Sequence, residues 1–167
     1  MPDCVEGKVA GLQRSSGGVP KLSVGAANVE VTGMVGDRQR KPLIHGGPAR
    51  ALCLYSLERI DALAAEGHPI TAGAVGENVT ISGIPWERVT PGSRLALGSV
   101  EVEVTSYAAP CRTIAGVFID GQFKRIGQRR HPGWSRVYVK IVRAGRITVG
   151  DPVVLTNAAD TRRDGVD

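Results

Sequence analysis

The stretch SVEVEVTS puts Val100, Val102 and Val104 on one side of an extended chain and Glu101 and Glu103 on the other, the period-2 alternation of a half-buried β-strand. RVYVKIVR repeats the pattern with Val137, Val139 and Ile141. RLAL meets SVEV through Gly98-Ser99, a two-residue link with glycine first that fits a type II′ hairpin, and RITVGDPVVL turns around Gly150-Asp151. With 22 glycines and 10 prolines among 167 residues, short valine-rich strands joined by tight turns predict a mainly β fold. The expected architecture is a closed or nearly closed β-barrel with one or a few short helices, not a parallel α/β sheet. No G-x-G-x-x-G or Walker loop follows any strand, which argues against a nucleotide-binding α/β fold.

SLERIDALAAEG reads as a helix. Ser56 can cap it, Leu57, Ile60, Leu63 and Ala64 fall on one side, and Gly67 with Pro69 ends it. No internal boundary divides the chain, so residues 1–156 are expected to form one barrel domain. Residues 157–167, TNAADTRRDGVD from Asn157 on, offer little to bury and are expected to fray. MPDCVEGKVAGL carries no basic region followed by a long apolar run, and no apolar stretch approaches membrane-spanning length, so a cytoplasmic protein with no membrane partner is expected.

The formal charge of +5 suits an anionic ligand. Sixteen of the 21 cations are arginines, whose planar fork grips phosphate in a bidentate manner, so discrete oxyanion recognition is favoured over loose polyanion binding. Nucleic acid fits poorly, because aromatic residues make up only 4% of the chain and no stacking platform appears.

Three cysteines, Cys4, Cys53 and Cys111, are too few and too widely spaced for a disulfide framework, and no C-x-x-C or H-x-x-H pair suggests structural zinc. Cys53 in ALCLY reads as a small core side chain. Cys111 in SYAAPCRTI follows a strand end, with Pro110 fixing the backbone before it and Arg112 placed to favour a thiolate, the form that attacks electrophiles or binds metal. Three further stretches collect polar residues at turns: GMVGDRQRKPLIHGGPARALCLYS with Asp37, Arg38, His45 and Arg50, GAVGENVTISGI with Glu77 and Asn78, and RRHPGWSRVYVK with Arg129, Arg130, His131 and Arg136. Gly-rich backbone can approach an anion closely and nearby arginines can complete the cradle.

In order, GGVPK, GDRQ…HGGPARAL, GAVGENVTI, PGSRLALG, PCRTI, HPGWSR and RITVGDPVVL resemble the MOSC family, named after the C-terminal domain of molybdenum cofactor sulfurase. The resemblance runs from about residue 7 to 156. It implies a barrel of the type also seen as the inserted domain of pyruvate kinase, and makes Cys111 the functional cysteine, a molybdenum ligand in relatives that bind molybdopterin. It also implies that Lys21 and Arg38 fall near phosphate contacts, with His45, Arg50, Asn78, Arg112 and Arg136 as further cofactor-binding candidates.

The activity implied is reduction of N-hydroxylated small molecules by a Cys-ligated molybdenum, a metal centre doing the redox chemistry while the protein orients it. A sulfur carrier with a persulfide on Cys111 uses the same residues, and a nucleic-acid module is the third reading. Pyridoxal phosphate belongs to the desulfurase domain fused to MOSC in the sulfurases and is not expected to bind here. The chain shows neither that domain nor an iron–sulfur motif, so a separate electron donor or cysteine desulfurase is expected as partner.

Overall fold

The computed structural model describes residues 4–15, 21–37 and 47–156. Seven strands close into a barrel in the order β11, β7, β8, β9, β5, β6, β1, with β1 pairing back to β11. They are β1 (Val5–Arg14), β5 (Leu52–Ser56), β6 (Val79–Ser82), β7 (Arg94–Leu97), β8 (Val100–Ala108), β9 (Arg136–Arg143) and β11 (Pro152–Thr156). The short β2 (Leu22–Val24) extends β1, and a second sheet joins β3 (Ala26–Glu30), β4 (Gly33–Met34) and β10 (Gly145–Thr148). The mainly β barrel expected from alternation is the fold observed.

The valines do what their period requires. Val100, Val102, Val104, Val137, Val139 and Ile141 are all buried in the barrel core, while Glu101 and Glu103 stay outside against Arg143, Arg94 and Lys140. Each buried aliphatic side chain is worth about 1.5–3 kcal/mol relative to exposure, so this alternation supplies much of the driving force for closure. Leu97 pairs with Val100 across Gly98-Ser99, where Gly98 has φ 61° and Ser99 stays on the negative side, as a type II′ turn needs.

Gly150-Asp151 behaves differently. Here the chain does not fold back as a hairpin, because β10 pairs with β3 while β11 pairs with β7 and β1. Gly150, with φ 96°, donates to Val9 O and Asp151 O accepts from Val9 N, so the turn is a corner where the chain passes from the small sheet into the barrel.

The one parallel pair among the described residues, β5 with β6, is bridged by α1 (Leu57–Ala65). Ser56 Oγ accepts from Arg59 N at 3.2 Å, Ile60 and Leu63 are buried, and Gly67 turns the chain away with φ 104°. Ala64, placed on the apolar side by periodicity, is exposed at the frayed edge of that stripe. Among the described residues no helix is long and apolar enough to cross a membrane. The stretch 157–167 lies outside the described residues.

Candidate functional site

Register, not strand ends, brings the motif-bearing residues together. Leu12 pairs with Val79, Val79 with Leu54, Leu54 with Val137 and Val137 with Tyr107, one row across β1, β6, β5, β9 and β8. Gln13, Cys53, Arg136 and Tyr138 neighbour this row on the alternate side of their strands, Glu77 and Asn78 precede β6 beside it, Asp37 joins through Asn78, and the turn from Ala108 to Cys111 joins through Arg136.

Asp37 is the centre of a buried knot. Its carboxylate accepts from Lys21 Nζ at 2.8 Å, Asn78 Nδ2 at 2.9 Å and Ser15 N at 2.9 Å. Lys21 and Asp37 are almost fully buried, which a close ion pair with added hydrogen bonds tolerates. Asn78 is fully buried too; its Oδ1 accepts from Cys53 N at 3.0 Å and Nδ2 also reaches Gln13 O at 3.4 Å. The Lys21 ammonium and the Asn78 amide are thus spent inside the protein, and a ligand phosphate at Lys21 would compete with Asp37. Arg38 and His45 lie outside the described residues.

Beside the knot, Glu77 is completely buried, and burial holds its carboxyl above the usual carboxylate range against the pull of nearby backbone N–H groups, Thr80 and Arg136. Hydrogen bonding agrees. Thr80 Oγ1 lies 3.0 Å from Glu77 Oε2 and 3.2 Å from Gln13 Oε1, and one hydroxyl proton can serve only one of them. A neutral Glu77 that donates to Thr80 leaves Thr80 free to donate to Gln13. Since the folded state keeps a proton that the unfolded chain releases near pH 4.5, the ordinary glutamate value, stability falls as pH rises above that point. Glu77→Gln will remove this contribution, at most about 1.4 kcal/mol per pH unit, so the variant gains on wild type between pH 4.5 and neutrality. Urea unfolding of both proteins across that range checks it; parallel pH profiles would mean Glu77 is buried ionised.

Arg136, the first residue of β9, is buried at 7% exposure. Nη1 donates to Val75 O at 2.8 Å, and Nη2 to Ala108 O and Ala109 O at 3.4 and 3.3 Å. One guanidinium thus clamps the GAVGEN turn to the backbone that leads through Pro110 into Cys111. It forms no salt bridge with any carboxylate among the described residues, and its Nε has no partner. A positive charge thus lies buried with no carboxylate in salt-bridge contact among the described residues, Glu77 being near enough to feel it.

Cys111 is half-buried, begins a 3₁₀ segment (Arg112–Val117) and accepts Ile114 N–H on its carbonyl at 3.2 Å. Arg112 beside it is exposed. Arg50 packs its guanidinium 5.1 Å from the centre of the Tyr138 ring. Burial pushes the Tyr138 hydroxyl up, with Cys53, Arg136, Arg50 and Cys111 all near enough to act on it, so these groups share one neighbourhood. The sequence reading does not single out Tyr138, although the strand period that turns Val137 and Val139 inward turns Tyr138 toward the Arg50 side.

Cys53 is buried, and desolvation pushes its thiol up to about 11 against the pull of Arg136. At pH ~8 about one molecule in a thousand carries the thiolate there. Limiting iodoacetamide on native protein will therefore mark Cys111 and Cys4 and spare Cys53 until denaturant is added, as peptide mass mapping reads; early labelling of Cys53 would contradict its burial.

The segment between Cys111 and β9 is fixed from several sides. Tyr55 Oη donates to Trp134 O at 2.6 Å, Trp86 Nε1 to Ser135 O at 2.7 Å and Ile119 N to His68 Nδ1 at 3.0 Å. Arg59 and Arg125 lie 4.4 and 4.1 Å from the Trp134 ring centre, and Arg125 also forks onto Glu66.

The class of protein these features describe is a mixed seven-stranded barrel with a half-exposed thiol beside a buried arginine. The MOSC domain family matches residues 41–154, and the chain belongs to that family. It is 29% identical over 116 residues to the uncharacterized protein YflK of Bacillus subtilis, covering 69% of this chain and 52% of that one. It is 27% identical over 130 residues to protein YiiM of Escherichia coli, covering 75% and 57%. The chain thus spans little more than half the length of these curated relatives. Among solved structures, YuaD from B. subtilis superposes with a TM-score of 0.73 at 20% identity, covering 94% of this chain and 99% of that one. YiiM from Geobacillus stearothermophilus gives 0.70 at 23% identity, covering 94% and 82%. These two likenesses speak for the fold.

Proposed function

We propose that this chain binds molybdenum cofactor, with the Cys111 thiolate as the protein's ligand to the metal, and reduces N-hydroxylated small molecules, residues 1–156 forming the barrel domain that does so. The observation that carries the reading is the buried Arg136 guanidinium, in no salt bridge among the described residues, behind a half-exposed Cys111. A fixed cation in a water-poor setting favours negative charge placed near it, which suits an anionic phosphorylated ligand.

The donor set fits such a group. Among the described residues no three His, Cys, Asp or Glu side chains gather to hold a metal ion unaided, whereas a metal delivered within a pterin needs only one protein thiolate. Cys111 would supply it, and Arg50 and Arg112 would take the phosphate, with Arg38 and His45, outside the described residues, as further candidates. Lys21 and Asn78 act here by fixing Asp37 beside β1 and β6.

When bound, the cofactor supplies two-electron redox chemistry and accepts oxygen. Overall the N–O bond breaks, two electrons and two protons are consumed, and an amine and water leave. The chain's own part is to position and to hold protons: Arg136 sets the Cys111 backbone, and Tyr138, with its hydroxyl pushed up by burial, keeps its proton at neutral pH and offers Oη as a donor at the rim.

The test is viologen-driven turnover of an N-hydroxylated base by protein made without air in a cofactor-producing host. Amine formation supports the proposal. Absence of turnover by metal-replete protein contradicts it.

A further inference from the structure

From Cys111 to the first residue of β9 the chain carries Arg112, Lys124, Arg125, Arg129, Arg130 and Arg136 against a single acid, Asp120. Two of these cations have inward tasks already described, Arg125 on Glu66 and Trp134, and Arg136 on the carbonyls. Lys124, Arg129 and Arg130 are exposed and make no side-chain hydrogen bond or ion pair among the described residues. Most cations elsewhere on the described surface are paired: Arg94 and Lys140 share Glu103, Arg143 reaches Glu101, Arg59 reaches Glu87, and Arg146 donates to Asn28, while Lys8 is exposed without a partner but stands alone in its segment.

The turn that carries the free cations packs beside Pro110, the residue before Cys111. Gly127 N donates to Lys124 O and His131 N to Gly127 O, so residues 124–131 fold back on themselves in two successive turns. That fold packs onto the residue before Cys111: a Cβ added at Gly127 would lie 3.6 Å from Pro110 Cγ. The turn is also stiff, since Gly133 N donates to Gln128 Oε1 and Trp134 is held between two arginines. A rigid cluster of like charges that repel one another and are matched by nothing internal costs stability. Its natural complement is an acidic surface.

We propose that Lys124, Arg129 and Arg130 form the docking surface for an acidic electron-carrying protein, which they hold beside Pro110 and Cys111 for reduction of the site. The inference rests on the redox function proposed above, because the chain shows no iron–sulfur motif to receive electrons itself. Rim charges of this kind govern encounter rate and salt sensitivity more than the chemical step.

Flavodoxin, an acidic flavoprotein, serves as the probe, with reduced viologen as the small donor that needs no docking. K124E/R129E/R130E should lower kcat/KM for photoreduced flavodoxin by about 10-fold or more and flatten its fall between 50 and 300 mM salt, while leaving viologen-driven turnover unchanged. The milder K124Q/R129Q/R130Q should show a smaller loss in the same direction and guards against misfolding of the reversal. Unchanged flavodoxin kinetics in both variants would overturn the proposal. So would an equal loss with viologen, which would place these residues in the site, or tight binding of an oligonucleotide or anionic vesicles abolished by the same substitutions where flavodoxin binding is not. If wild type shows no viologen turnover, the catalytic reading fails, and salt-dependent binding of oxidised flavodoxin, lost in the reversal, still decides the docking surface.

Discussion

Replacing Arg136 with methionine will lower the unfolding midpoint by about 6–12 °C and disorder the approach to Cys111. The side chain fills a similar volume but leaves the carbonyls of Val75, Ala108 and Ala109 without the guanidinium that ties them together. Orphaned buried polar groups cost about 1–3 kcal/mol each, partly offset because a buried charge no longer needs solvating, so a net loss near 3 kcal/mol is expected. A domain of this length shifts by about 2–4 °C per kcal/mol. Arg136→Lys separates geometry from charge: it keeps a cation but loses the planar fork that spans both turns. It should be destabilised as well, yet retain more affinity for an anionic ligand than the methionine variant. Equal ligand binding by both variants would remove the electrostatic role and leave Arg136 a structural clamp only.

Cys111→Ser is expected to abolish the proposed activity, by at least about 100-fold, while changing the melting temperature by less than about 2 °C. The thiol is half-exposed on the rim, so exchanging sulfur for oxygen removes no core contact. A serine hydroxyl stays protonated at neutral pH and is a poor soft ligand, whereas a thiolate is a good one. Cys53→Ser is the instructive counterpart. It places a hydroxyl in a buried site and should cost stability without removing activity, which melting curves and turnover measured side by side will read. Activity lost at Cys53 and kept at Cys111 would reverse the assignment.

The strands and the helix cap were legible because their signals are local: alternation sets which valines face inward, and Ser56 needs only the N–H three residues on. The Gly150-Asp151 corner was not legible as a corner. Turn residues announce a reversal, but whether the next strand rejoins its neighbour or enters another sheet depends on partners far away, here Val9 and Leu97. The site shows the same limit. Cys53 and Cys111 could be told apart by their flanking residues, whereas the resemblance that offers Lys21 and Asn78 as ligand contacts gives no sign that their donors are bound to Asp37 and Gln13. Sequence motifs mark where polar residues gather, and only the folded chain says which face inward. Arg136 is the sharpest case, since nothing in HPGWSR hints that its guanidinium reaches the carbonyl of Val75.

The central claim is that Cys111 holds a metal-bearing pterin instead of carrying sulfur. It is tested most directly by metal, pterin and intact-mass analysis of protein purified without air from a host that makes molybdenum cofactor. The account predicts molybdenum and pterin in near-equal amounts with wild-type protein, both lost in Cys111→Ser, and no added sulfur on the polypeptide. Metal-free protein that gains one sulfur atom on Cys111 when incubated with a cysteine desulfurase and cysteine would contradict it and establish the carrier.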